Sequence, residues 1–508
     1  MGKIFSYILE NRDKSQRISF LSVLLFCLYF VTVPRLDILP WFGSYNEKRI
    51  MELLLLLVVA STFISSSLLR KNWLAILEHL PPGSKRMLLF IAVMGLVSSA
   101  GAAFPRFSLL EVSLFCLLFG GTICVASCYV ELGDLFIKMV AIALFLLGWF
   151  YLAVFVAYYL TALSGGITFA QLSNFSNFSN IRFFNQLQSW TLPLIVIPLL
   201  LFTRRPLFIR ALFIVVAMGW WFLLFSSSCR GTLVGCLFAF SATFLVFGKK
   251  AQSWRRWQII AIAGGFAAYL LFFSFIPSIM SIDVQTIMDR DLISSSRRLE
   301  LWSVAGKMIQ ARPWLGYGPM QYAAEPGLMA SHPHNSIAQI AAEWGLPVAF
   351  AVLTLFIWGL LRWLKIITSS STLQGQNIYA ALFASLLTAA VHSLLSGIIV
   401  MPLSQLMMVL VIGWMLGISA RQSIARQNYH RLKHVILWIS FPVVISGLVW
   451  SLFPGVLHLT ELQTEFHNSH PEETILKPRF WLQGQLVGHK PEKKEYRGIV
   501  GTESNNNG

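Results

Sequence analysis

Two histidines one residue apart stand in "SHPHNSIAQIAAEWG", Ser331 to Gly345, immediately before a long apolar segment. An imidazole with a pKa of about 6.5 is suited to take the proton of an attacking hydroxyl. Four arginines lie in comparable positions beside apolar segments. Arg182 is in "SNIRFFNQLQSW", Arg230 in "SSSCRGTLVG", and Arg297 with Arg298 in "LISSSRRLELW". A guanidinium stays charged at any physiological pH and grips phosphate oxygens through a planar fork. One such arginine alone usually anchors a chain in lipid headgroups. Arg230 differs, because its turn is too short to let it reach bulk water and no acid lies beside it, which favours an anionic ligand. Metal chemistry is not expected. "HPH" offers two ligands with a proline between them and no third, and "DRD", Asp289 to Asp291, reads as solvated loop carboxylates. The chain has no nucleotide fingerprint and no phosphate-cradling glycine loop.

These side chains must be held by membrane helices. The 508 residues are 56% hydrophobic and 12% charged, with a mean hydropathy of +0.67. Segments of about 17–25 apolar residues, the length that crosses a bilayer as a helix, recur at 18–34, 50–69, 86–104, 107–130, 136–164, 188–203, 207–227, 232–248, 257–276, 338–363, 378–396, 398–419 and 434–453. The expected fold is an all-α polytopic membrane protein with about 13 (12–14) transmembrane helices. It divides into a transmembrane region 1–276, a large loop 277–337, further helices 338–453, and a tail 454–508 that is partly disordered at "GTESNNNG". The polar leader before the first span is not a cleavable signal peptide. A loop of some sixty residues between two spans calls for a binding or catalytic role.

Orientation follows from the basic residues. With a cytoplasmic N-terminus and alternating loops, 22 of the 39 Lys and Arg fall in cytoplasmic segments against five acids. That face then carries the whole formal charge of +17, leaving the outer face nearly neutral. The histidine loop, the outer arginines and the tail share the outer side. The basic balance therefore reports topology and contact with anionic membrane lipids rather than nucleic acid. The six cysteines lie in or beside spans with no disulfide or metal spacing and read as packing residues. His392, in "AAVHSLLSGIIVMPLSQ", reads with Ser393, Ser396 and Gln405 as an interhelical polar cluster. Glu111 is the main ionisable residue in a span, where a transporter would show charged pairs near the midplane. Arg479, in the tail, reads as a surface residue.

Taken in order, "SSSCRGTLVG", "SSSRRLELW", "RPWLGYGPMQY" and "HPHNSIAQIAAEWGLP" resemble the O-antigen ligase and polymerase superfamily of bacterial membrane glycosyltransferases, which includes protein O-oligosaccharyltransferases. The resemblance covers about 225–350 closely. It implies a GT-C-type helical architecture and an inverting transfer without metal or cofactor. The donor it implies is a glycan on undecaprenyl diphosphate. The acceptor is a hydroxyl of lipid A–core, of a growing glycan or of a protein. The implied setting is the bacterial inner membrane, with a cytoplasmic N-terminus and a periplasmic C-terminus and active site. The implied catalytic residues are His334, Arg230 and Arg298, with Arg182, Asn185, Gln186, Arg297, His332, Asn335 and Tyr317 binding substrate. Protein-directed members often carry "HSLLEYPL" where this chain has "HSLLSGIIVMP", with Ser396 in place of the Glu, so the ligase is the favoured reading. A lipid-linked glycan transporter is the non-enzymatic alternative. Within the histidine pair, Asn335 or Ser336 is expected to cap a helix and fix His334 at its start, and Pro333 to turn His332 away.

Overall fold

The computed structural model describes residues 13–34, 38–282, 298–369, 373–421, 431–456 and 476–486, with a few isolated positions between 457 and 470. Every regular element among them is helical. The apolar segments become helices with recognisable ends. Asp13 caps Lys14–Thr32 by accepting from the Gln16 amide, and prolines open Pro82–Gly101, Pro105–Leu132 and Pro402–Ala420. A proline costs nothing there because the first amides of a helix lack partners anyway.

Eight helices among the described residues are long and apolar enough to cross a membrane, or nine if the bent pair Pro40–Ser65 and Leu69–His79 counts as one span. The chain is thus an all-helical, multi-pass membrane protein, with fewer such spans among its described residues than the thirteen apolar segments. The apolar segments are divided differently from the expectation, for local reasons. The expected span at 188–203 is broken into Ile181–Thr191 and Ile197–Leu201 around Pro193. Arg230–Met280 counts as one run of 51 residues. It holds two helices, Arg230–Phe247 and one starting at Gln252, joined at Gly248, which has φ +50°. The expected span at 338–363 divides at Gly345 into Ser336–Trp344 and Leu346–Ser369.

The helix ends and loops gather in two groups. At one end, Asn72 bonds Glu131, the His79 ring meets the Arg362 guanidinium at 3.1 Å, and Arg421 lies over the Tyr129 ring. All six residues sit in or beside segments the charge pattern assigns to the cytoplasm. At the other end meet 40–49, 177–189, 227–231, 298–345, 393–401 and 476–486. The candidate site belongs to this second end.

The "RPWLGYG" motif closes the short Ser336–Trp344 helix. Amides of Tyr317 and Gly318 donate to the carbonyls of Ala342 and Glu343, and Leu346 donates to Pro313. Gly316 and Gly345 both have positive φ and pack against opposing backbone, where a Cβ has no room. Tyr317 itself lies under Arg312, whose guanidinium is 4.6 Å from the ring centroid, and packs on the loop's own core around Leu301, Met308 and Tyr322.

Candidate functional site

Three short connections carry the site. Asn180 caps Ile181–Thr191 and places Arg182 in its first turn. Ser228, at φ 55°, and Cys229 alone separate Leu207–Ser227 from the next helix, so Arg230 is that helix's first residue. Asn335 caps Ser336–Trp344 by accepting from the amides of Ile337 and Ala338 at 3.1 and 3.0 Å, and His334 immediately precedes it. A helix N-terminus favours anions and disfavours cations. Two arginines held at such ends therefore add positive charge where the backbone already supplies some.

These ends face one another. Burial and the charges of Arg182 and Arg230 hold the half-buried Arg298 below the usual arginine pKa. Arg182 and Arg230 both act on it as cations, so three guanidiniums crowd together here. Enclosure by the protein, followed by Arg182 and Arg298, pushes His334 down to about 3. The imidazole is therefore neutral across the physiological range. Arg297 and Asp289 to Asp291 lie outside the described residues.

His334 sits at φ 54°, a region that residues other than glycine enter at a cost. Neighbouring bonds hold it there. Its amide donates to His332 Nδ1 at 3.2 Å, and Trp302 Nε1 donates to the Pro333 carbonyl at 3.0 Å. The two imidazoles meet edge to face with centroids 4.3 Å apart. Because His332 Nδ1 accepts, a proton on that ring belongs on Nε2. His332 is fully buried, and its ring fills the space a Cβ would occupy on Gly397. Burial, then His334 and Arg479, hold its pKa far below normal. His332, expected to bind substrate, is thus buried against His334 and accepts from its amide.

The floor is polar. Asn185 donates to Ser227 at 2.7 Å and to Gln188 at 2.8 Å, and Gln186 donates to Ser396 at 2.9 Å. Both amides are buried, and their oxygens have no hydrogen-bond partner among the described residues. They tie the Arg182 helix to the Arg230 turn and to the 393–401 loop. His392 Nδ1 lies 2.7 Å from Ser189 Oγ and 3.4 Å from Thr232 Oγ1. Its ring also packs against Gly231, where a Cβ would stand 2.7 Å from Nε2. Arg298 and His334 both act on it electrostatically. The expected cluster of His392, Ser396 and Gln405 is thus divided. His392 and Ser396 line the site, while Gln405 accepts from Arg49 at 2.5 Å and donates to the Ile399 carbonyl.

Sequence reasoning missed two buried charged groups. Arg49 pairs with Glu52 at 2.5 Å inside Gly43–Ser65. Arg479 is 1% exposed and contacts Glu111 at 2.7 Å and Glu343 at 2.6 Å, so it is no surface residue. No group of three His, Cys, Asp or Glu side chains that could hold a metal ion is found among the described residues.

Residues 212–353 match the O-antigen ligase family.

The match supports the O-antigen ligase and polymerase superfamily, whose chemistry at family level is glycosyl transfer. No curated protein matches the chain. The O-antigen ligase stretch contains Arg230, Arg298, His332, His334 and Asn335. Arg182, Asn185, Gln186 and His392 lie outside it, yet meet it in space.

Proposed function

We propose that this O-antigen ligase-family protein transfers a glycan from undecaprenyl diphosphate to an acceptor hydroxyl at the periplasmic face. The proposed transfer places O-antigen on lipid A–core. The observation that carries this reading is the cluster of Arg182, Arg230 and Arg298, gathered at helix N-termini beside a neutral imidazole. The guanidinium forks of such a cluster bind the oxygens of a diphosphate.

In this mechanism the acceptor oxygen attacks the anomeric carbon from the face opposite the diphosphate, so the configuration inverts. The acceptor's proton passes to His334. The bond from the anomeric carbon to the diphosphate oxygen breaks, and the arginines stabilise the charge that builds on the leaving group. Donor binding also prepares the base. Burial, and then Arg182 and Arg298, keep His334 weakly basic; the diphosphate neutralises the arginine part, which raises the imidazole's affinity for a proton as the substrates assemble. Buried support from His332 and Trp302 keeps the strained His334 backbone in place.

Deleting the gene tests this reading. Loss of long lipopolysaccharide with lipid-linked polymer retained is expected. A single-repeat surface glycan would instead indicate a polymerase, and unglycosylated protein with normal lipopolysaccharide a protein-directed enzyme.

A further inference from the structure

The tail segment 476–486 runs through the interior of the outer end. It closes on itself through Arg479 N–H to the Trp481 carbonyl and Gly484 N–H to the Lys477 carbonyl, at 3.0 and 3.1 Å. Gly484 has no room for a Cβ against the Arg479 backbone. On one side the segment is held by Gly43–Ser65. Tyr45 Oη donates to the Arg479 carbonyl at 2.7 Å, Arg49 Nε donates to the Phe480 carbonyl at 3.1 Å, and the Leu482 amide donates to Asn46 at 2.7 Å.

Its other side grips the histidine loop. Ser331, next to His332, donates to the Lys477 carbonyl at 2.7 Å. Gln485 donates to the Leu328 carbonyl at 3.3 Å, and the Leu486 amide donates to the Ala323 carbonyl at 2.9 Å. Arg479 reaches Glu343, at the far end of the helix that starts just after His334, and also Glu111 on Pro105–Leu132. Glu343 in turn accepts from the Tyr322 amide at 3.1 Å. The segment therefore touches the stretch before the histidines, the helix after them and two membrane helices. Arg49 extends the same frame to the Val400 carbonyl and Gln405, close to the Gly397 that backs the His332 ring.

We propose that residues 476–486, anchored by Arg479, are a positioning element that sets the His332–His334 pair for transfer. Arg479 touches neither donor nor acceptor in this scheme. It acts through Glu343, while the Lys477 carbonyl of the same segment holds Ser331, and the two contacts bracket the histidines along the chain. The inference rests on the transferase reading for its importance to turnover, but its geometric content does not.

The test uses the full-length protein in detergent with diethyl pyrocarbonate as the probe, mapped by mass spectrometry, alongside donor turnover. Arg479→Gln alone leaves two buried carboxyls without their cation, so Arg479→Gln/Glu343→Gln is the main variant. With the fold retained by thermal unfolding, His332 should label at least tenfold faster than in the parent. The kcat should fall at least tenfold with the donor KM changed less than threefold. Protected His332 in a folded double variant, or parental kcat there, overturns the proposal. If the double variant does not fold, Ser331→Ala carries the same test, with a smaller rise in His332 labelling expected and unchanged labelling overturning it. Loss of the transferase reading would show as absent turnover in the parent, while the labelling result would still decide the positioning claim.

Discussion

Arg298→Gln separates an anion clamp from a structural ion pair. Arg298 is half-buried beside Arg182 and Arg230, and its pKa is held below the usual value by burial and then by those charges. A base whose folded pKa is lowered is disfavoured in its charged form by folding. At neutral pH the guanidinium is charged in both folded and unfolded states, so its charge costs the folded protein stability. Two unit charges ~8 Å apart repel by about 2 kcal/mol at an effective dielectric of 20. Solvent reaching Arg182 and Arg298 reduces this to about 1 kcal/mol or less. The variant should therefore melt at the parental temperature or about 1–2 °C above it. Activity should move the other way. Losing one or two charge-assisted bonds to a diphosphate, each about 1.5–3 kcal/mol, amounts to roughly 2–4 kcal/mol after allowing for exposure. That corresponds to about a 30- to 1,000-fold fall in kcat/KM. Thermal unfolding in detergent and donor kinetics on the same preparation give both numbers. A variant that melts several degrees lower and loses activity in proportion would refute the clamp and make Arg298 structural.

Arg230→Lys keeps the charge but loses the fork, and should cost at least tenfold in transfer, whereas Arg204→Lys, exposed and outside the site, should match the parent. His334→Ala should abolish turnover with donor binding largely intact, measured by donor retention on immobilised protein, while His332→Ala should lose less. The pH profile should show donor binding raising the His334 pKa. The acid limb of kcat/KM, which reports the free protein, should lie below that of kcat, which reports the donor-bound state. Thermal stability has its own sign: His334 has a folded pKa of about 3 against about 6.5 unfolded. Its contribution is complete above about pH 6.5 and is lost progressively as pH falls towards 3, a slope that scanning calorimetry of His334→Ala should find reduced.

The sequence made the site's positive half readable because its signals are local. Arginines beside apolar runs, a turn with no slack at Arg230 and an Asn after a histidine each follow from neighbouring residues. The cap at Asn335 formed as expected. What escaped was long-range. Arg479 lies 368 residues from Glu111 and 136 from Glu343 in the chain, so its own surroundings, rich in polar residues, gave it the look of a surface group. His392 showed half its role. Its hydrogen-bond partners are Ser189 and Thr232 rather than Ser393 or Gln405. The cue lay in Gly231, a small residue beside Arg230 that leaves room for a ring from another helix. The apolar stretches are divided differently for a physical reason also visible locally. Pro193 and Gly345 interrupt apolar stretches, and hydropathy alone does not see a break in direction.

The most direct measurement is transfer by the purified protein in chelator, supplied only with a polyprenyl-diphosphate glycan and a lipid A–core acceptor. A glycosylated acceptor and released polyprenyl diphosphate are expected with no nucleotide added, and no product from His334→Ala that still retains the donor. Donor bound by the parent protein but never turned over, with acceptor present, would contradict it.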